Sequence, residues 1–181
     1  MEYANGFRTA DRLNQSMKFS ALIFLLFAFA PPAGATDVSL FIVERTTNGN
    51  VVHYDARLTR SGDIDPADPI VVYWTIGSSS GKREDLSFLE RHRAWGVNVR
   101  KRPDGHFVMT IVSQKQIEVE VYRKDGIVHA ETSIAGSRAY LNKIFVNIEG
   151  PILFPKVNYI ELFGSDVSTG VTCYERIIPR K

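Results

Sequence analysis

An all-β fold is what this sequence predicts, and three observations predict it. Apolar and polar residues alternate at period two through most of 38–178, the pattern of half-buried strands. Turn residues interrupt those runs at short intervals, among them Asn48-Gly49, Pro103-Asp104-Gly105 and Asp125-Gly126, and such turns join antiparallel neighbours. A helical period is carried by one stretch alone, near 84–93. A meander of about ten strands must hide its edges. The expected architecture is therefore an antiparallel meander closed into a small barrel, with a two-sheet sandwich as the alternative and one short helix.

Taken in order, Val38–Arg45 is nearly continuous apolar, as a strand covered on both faces would be. Asn48-Gly49 then offers a tight hairpin to Val51–Thr59, where Val52, Tyr54, Ala56 and Leu58 alternate with His53, Asp55 and Arg57. Residues 60–69 are a turn-rich connection, and Ile70–Ile76 is the next strand. The helix is expected over Glu84–Arg93: Leu86, Leu89 and Arg93 recur at three and four, so Leu86 and Leu89 should face the sheet. Glu84 and Asp85 in its first turn and Arg91, His92 and Arg93 in its last suit the helix dipole. Trp74 and Trp95 bracket it and should pack beneath it. Strands follow at Trp95–Arg100, His106–Val112, Ile117–Tyr122, Ile127–Ala135, Ala139–Ile148, Lys156–Phe163 and Val171–Ile178, the last with Cys173 as an inert buried thiol.

The N-terminus is different in kind. Lys18, the apolar run Phe19–Ala30, and Ala33-Gly34-Ala35 have the three parts of a secretory signal, with cleavage expected after Ala35. The run is shorter than the roughly 20 residues a spanning helix needs. Glu2 and Asp11 are foreign to a signal's charged region, so the natural start is expected at Met17, and residues 1–35 form an N-terminal extension plus signal. Residues 36–181 are then a single exported β-rich domain, periplasmic or secreted, with no membrane span left. The chain's net charge is +2, which gives nucleic-acid binding no support. Its single cysteine excludes an intrachain disulfide.

No motif for catalysis, metal or cofactor stands out. Gly77-Ser-Ser-Ser-Gly81-Lys82-Arg83 is one residue short of a phosphate loop and has Arg83 where the metal-holding hydroxyl belongs. It formally matches a nucleophile elbow, but that turn requires a parallel α/β sheet. Asp63, Asp65 and Asp68 lack the Gly and Glu of a calcium loop and are ordinary turn formers beside Gly62 and Pro66. His53 with Asp55, His129 with Glu131, and Glu118 with Glu120 fall on solvent faces of amphipathic strands. Two weaker candidates for ligand binding remain. Lys82 and Arg83, with loop amides at a helix start, suit an anion. Tyr140, Asn142, Asn147, Asn158, Tyr159 and Glu161 put amide and phenol groups into otherwise apolar strands, as the lining of a pocket would.

At Val72-Tyr73-Trp74, Gly81–Glu84, Leu89–Gly96 and Tyr140–Val146 the chain resembles an exported bacterial family known only as domain of unknown function 4833. The resemblance covers about Leu40 to Ile178. It implies export and one β-rich domain, and it brings no activity or site residues. The expected function is a non-enzymatic exported module that binds a small ligand or an envelope partner. The alternatives are a hydrolase whose groups converge only in three dimensions, or a purely structural envelope protein. Two titratable groups within hydrogen-bond reach in a cleft would favour the hydrolase.

Overall fold

The structure is a computed structural model that describes residues 36–46, 49–79, 81–150 and 156–179. The signal segment, the Met17 start and the Ala35 cleavage lie outside these residues, as does Asn48 of the Asn-Gly turn. Among the described residues, no helix is long and apolar enough to cross a membrane.

The fold is all-β, as the alternation predicts. Its strands are β1 (Thr36–Arg45), β2 (Val51–Leu58), β3 (Ile70–Ile76), β4 (Lys82–Asp85), β5 (Val97–Lys101), β6 (Phe107–Ile111), β7 (Gln114–Lys124), β8 (Ile127–Ile134), β9 (Ser137–Glu149), β10 (Lys156–Asp166) and β11 (Thr172–Ile177). They form one mixed sheet in the order β4-β3-β2-β1-β9-β8-β7-β6-β5, with β10 on the other edge of β9 and β11 beyond it. β9 is the strand that makes this possible. Its first residues pair antiparallel with β8, Glu131 opposite Tyr140. Its later residues pair parallel with β1, Ile42 opposite Lys143. Two wings, β1–β4 and β5–β8, thus leave the same edge of one long strand.

The expected barrel is not formed. Closure needs the two ends of the strand order to pair, and β4 and β5 do not. Between them the chain runs through a helix, α1 (Phe88–Arg93), instead of a hairpin. Nor is it a plain antiparallel meander, because β1 and β9 run parallel. The wings share one apolar core instead: Phe41, Val52 and Tyr54 from one, Met109, Val119 and Val121 from the other, Ile144 and Leu162 from β9 and β10. Phe41 and Tyr54 stack at 4.7 Å, and the Tyr54 hydroxyl donates to the Trp95 carbonyl at 2.8 Å. That bond ties β2 to the crossover.

The helix is shorter than the sequence suggests. Lys82–Asp85 is a strand paired with β3, Trp74 opposite Glu84, so Glu84 and Asp85 are not helical. Ser87 is the N-cap, and it forms a capping box with Glu90, which satisfies two otherwise orphaned amides. Leu86 is buried, but it precedes the helix, whereas Leu89 and Phe88 are 60% and 77% exposed. The core beneath is already filled by Trp74 and Trp95, edge to face at 5.7 Å, with the Arg45 guanidinium 4.8 Å over Trp74. Cys173 is half-buried, against the expectation of full burial, because it sits on the outermost strand of its edge.

Turn chemistry follows the sequence where it is described. Asp125 and Gly126 both take positive φ, 51° and 82°, the conformation a two-residue hairpin needs. Between β10 and β11, Asp166 accepts from the Ser168 hydroxyl at 2.7 Å, the Ser168 amide at 3.0 Å, and the amide and hydroxyl of Thr169 at 2.8 and 2.9 Å. These bonds, the Ser168 hydroxyl foremost, pull its carboxyl down to about 2. A depressed carboxyl stabilises the fold above its unfolded value, and the contribution is lost as pH falls through the folded one. Urea melts of the wild type and Asp166→Asn should therefore differ at neutral pH, and the difference should shrink as pH drops from about 4 towards 2.

Candidate functional site

Adjacent strands carry outward side chains in register, so the outer face of β6–β9 builds a wall. His106 stacks on Tyr122 at 4.7 Å, Tyr122 meets His129 at 5.5 Å, and His129 stacks on Tyr140 at 4.5 Å. Within the row the rings face one another, so Tyr122 and His129 offer a ligand mainly their edges and polar tips. Glu120 and Glu131 stand directly opposite each other across β7 and β8, and each has its own cations or donors. Glu120 Oε1 is 2.8 Å from His106 Nδ1 and accepts from Arg102 at 3.1 Å. Glu131 accepts from the Tyr122 hydroxyl at 2.8 Å and is paired with Arg138. Burial, then the bond to Glu131, holds the Tyr122 phenol far above its ordinary range.

Beside this wall lies an open cleft of about 520 Å³, within the size range of small-molecule sites. One side is the connection between β2 and β3, with Thr59, Ser61 and Asp63; the other is the β5–β6 hairpin, with Lys101, Asp104 and His106. The connection is held in place by its own bonds. The Thr59 amide donates to the Asp63 carbonyl at 2.8 Å, the Ser61 hydroxyl donates to Asp63 at 2.9 Å, and the Asp65 amide donates to the Arg57 carbonyl at 2.8 Å. Arg123 bridges from β7 to Asp63 at 3.5 Å. Lys101 meets the Phe107 ring at 5.7 Å and, among the described residues, no carboxylate.

The residues expected from the sequence fall in three places. Lys82 and Arg83 lie on exposed β4: Lys82 pairs with Glu84 at 3.2 Å, and Arg83 lies 3.7 Å over Tyr73 and 3.9 Å from Asp37. The loop before them leads into this strand, not into a helix. Tyr140 ends the ring wall. Asn158 and Tyr159 come together on the β9–β10 face through Asn147, at 2.9 and 3.3 Å, with the Arg176 guanidinium 4.3 Å over Tyr159. Asn142 is exposed and, among the described residues, reaches only Ser165, at 3.4 Å.

Several groups read as solvated are not. Glu131 and Asp55 are 5% and 6% exposed, because neighbouring side chains on their own sheet face fold over them. Among the described residues Asp55 Oδ1 is a buried oxygen without a hydrogen-bond partner. Burial foremost, with Asp55 next, raises the Tyr73 phenol. Glu120 is half-buried and engaged, whereas Glu118 is exposed and paired with Arg100 at 3.4 Å, as a solvated face would have it.

Residues 41–176 match the family model of a domain of unknown function, DUF4833. The chain belongs to this family. No curated protein and no solved structure matches it. Membership in DUF4833 thus agrees with the resemblance at Val72–Trp74 and Tyr140–Val146, and it assigns no chemistry to the cleft or to the wall beside it.

Proposed function

We propose that this DUF4833 domain is an exported, non-enzymatic binding module whose site is the cleft between the β2–β3 connection and the β5–β6 hairpin. Its ligand is a small polar molecule with an acidic group. The observation that carries this is a connection braced by its own hydrogen bonds over a cleft with Lys101 and Arg123 in its lining. A braced loop has little ordering entropy left to lose on binding.

Native mass spectrometry of the protein purified from its own source tests the reading. The expected result is an excess of roughly a few hundred daltons that vanishes on denaturation and is lost in the Lys101→Ala, Arg123→Ala double variant. A bare chain would defeat it. The denatured mass also tests export: it should correspond to residues 36–181.

A second reading has one observation in its favour. His106 and Glu120 are titratable groups within hydrogen-bond reach beside a cleft, the arrangement of a base and the carboxylate that orients it. Against it, Glu120 is already engaged by Arg102, and the Ser61 hydroxyl that shares the cleft is spent on Thr59 and Asp63. Hydrolysis of simple ester substrates, abolished by His106→Gln, would favour this second reading.

A further inference from the structure

Two side chains that line the cleft come from a tight hairpin, and a third reaches them from the strand beside it. Asp104 and His106 are two residues apart in the β5–β6 turn, where the Asp104 carboxylate accepts from the His106 amide at 3.1 Å. Glu120 reaches them from β7. One ligand atom from each lies within 4.8 Å of the other two. Ions of the zinc type bind nitrogen and oxygen at about 2.0–2.2 Å, so three donors around one ion stand about 3.3–3.8 Å apart. The widest separation among the three groups therefore closes by up to about 1.5 Å, a shift within the reach of side-chain rotation.

We propose that Asp104, His106 and Glu120 hold one divalent first-row transition ion. The proposal rests on the cleft being the binding site, and it names what that site uses to take an acidic ligand. An imidazole with two carboxylates suits zinc, cobalt, manganese or iron; an all-oxygen set would suit magnesium or calcium. Three protein ligands leave positions open, and Asp104 and His106 both line the cleft. The ion would thus add positive charge beside Lys101.

Arg102 is the competitor. Its guanidinium is 3.1 Å from Glu120 and 3.4 Å from Asp104, so it neutralises the same carboxylates that the ion requires. It is 43% exposed, and an exposed pair of this kind is weak. A divalent ion bound by three groups displaces it, and Arg102 swings into solvent. Its removal should therefore tighten metal binding, which a merely structural role for these residues would not predict.

Cobalt(II) titration of the metal-stripped protein, followed by visible absorption, decides the matter. The expected result is a saturable band at one ion per chain that zinc bleaches. His106→Gln and Glu120→Gln, which keep the shape of the site, should abolish it, and Arg102→Ala should tighten binding about fivefold. Circular dichroism shows whether each variant is folded, and Asp104→Asn replaces any that is not. A band that never saturates, or that survives in His106→Gln, overturns the proposal. The failure of the cleft reading looks different: no organic mass is retained, yet the cobalt band is present.

Discussion

Ile144→Ala is expected to cost about 4 kcal/mol of stability, and both wings should lose protection together. Ile144 is fully buried and Leu162, its partner across β9 and β10, is 1% exposed. The site is the strand from which both wings depart, so a cavity there faces each of them. Large-to-small changes at such positions lose the transfer free energy of the removed carbons and gain a void, because the surroundings relax only partly. A domain of this size has only about 5–15 kcal/mol to lose. Urea melts give the total, and native-state hydrogen exchange gives its distribution. Amides of Val52 in β2 and Val119 in β7 should fall by the same free energy. If β7 alone loosens, the wings are separate units and the shared core described above does not couple them.

Much of the chain was legible because period two is a local signal. The inward set Val52, Tyr54 and Ala56, and likewise Val119 and Val121, can be read from alternation alone, and Asp125-Gly126 names its own turn. The sheet stays open for a reason that alternation does not carry. Nothing in the pattern of Ser137–Glu149 says that one edge of this strand has two neighbours, one of them parallel. The helix is shorter than its period suggests because Lys82–Leu86 fits both periods: its acids suit a first turn, yet Glu84 and Asp85 pair with β3.

The same limit governs the site. His106, Glu120, Tyr122, His129, Glu131 and Tyr140 all have the outward phase of their strands, and that much is in the sequence. Their lateral register is not. Tyr122 opposite His129, and Glu131 opposite Tyr140, turn scattered polar residues into a wall in which Glu131 is buried. A reading strand by strand sees solvated faces. Asp104 and His106 carried the one local hint, two ligand types two residues apart at a turn, and Glu120 joins them only through the pairing of β6 with β7.

Gly96→Ala should cost about 2–3 kcal/mol, and the argument turns on which neighbour yields. Gly96 is buried, and a methyl group there would lie 2.7 Å from the Arg91 carbonyl carbon and closer still to its oxygen. On one side, residues 94–96 are pinned to the β6–β7 turn: the Val112 amide donates to the Gly96 carbonyl at 2.8 Å, and the Ser113 amide to the Ala94 carbonyl at 3.1 Å. Trp95 is held further by Trp74 and by the Tyr54 hydroxyl. On the other side is α1, which buries none of its residues. The helix end therefore moves, and the bonds from the Ala94 and Trp95 amides to the Glu90 carbonyl, 3.0 and 2.9 Å, are the ones lost. At about 1 kcal/mol each, with some residual crowding, they account for the expected cost. The near-ultraviolet dichroism of the tryptophan pair should stay close to wild type while the helix amides lose protection. A changed tryptophan signal with intact helix protection would mean that the core yields first, and that α1 is held by more than its cap.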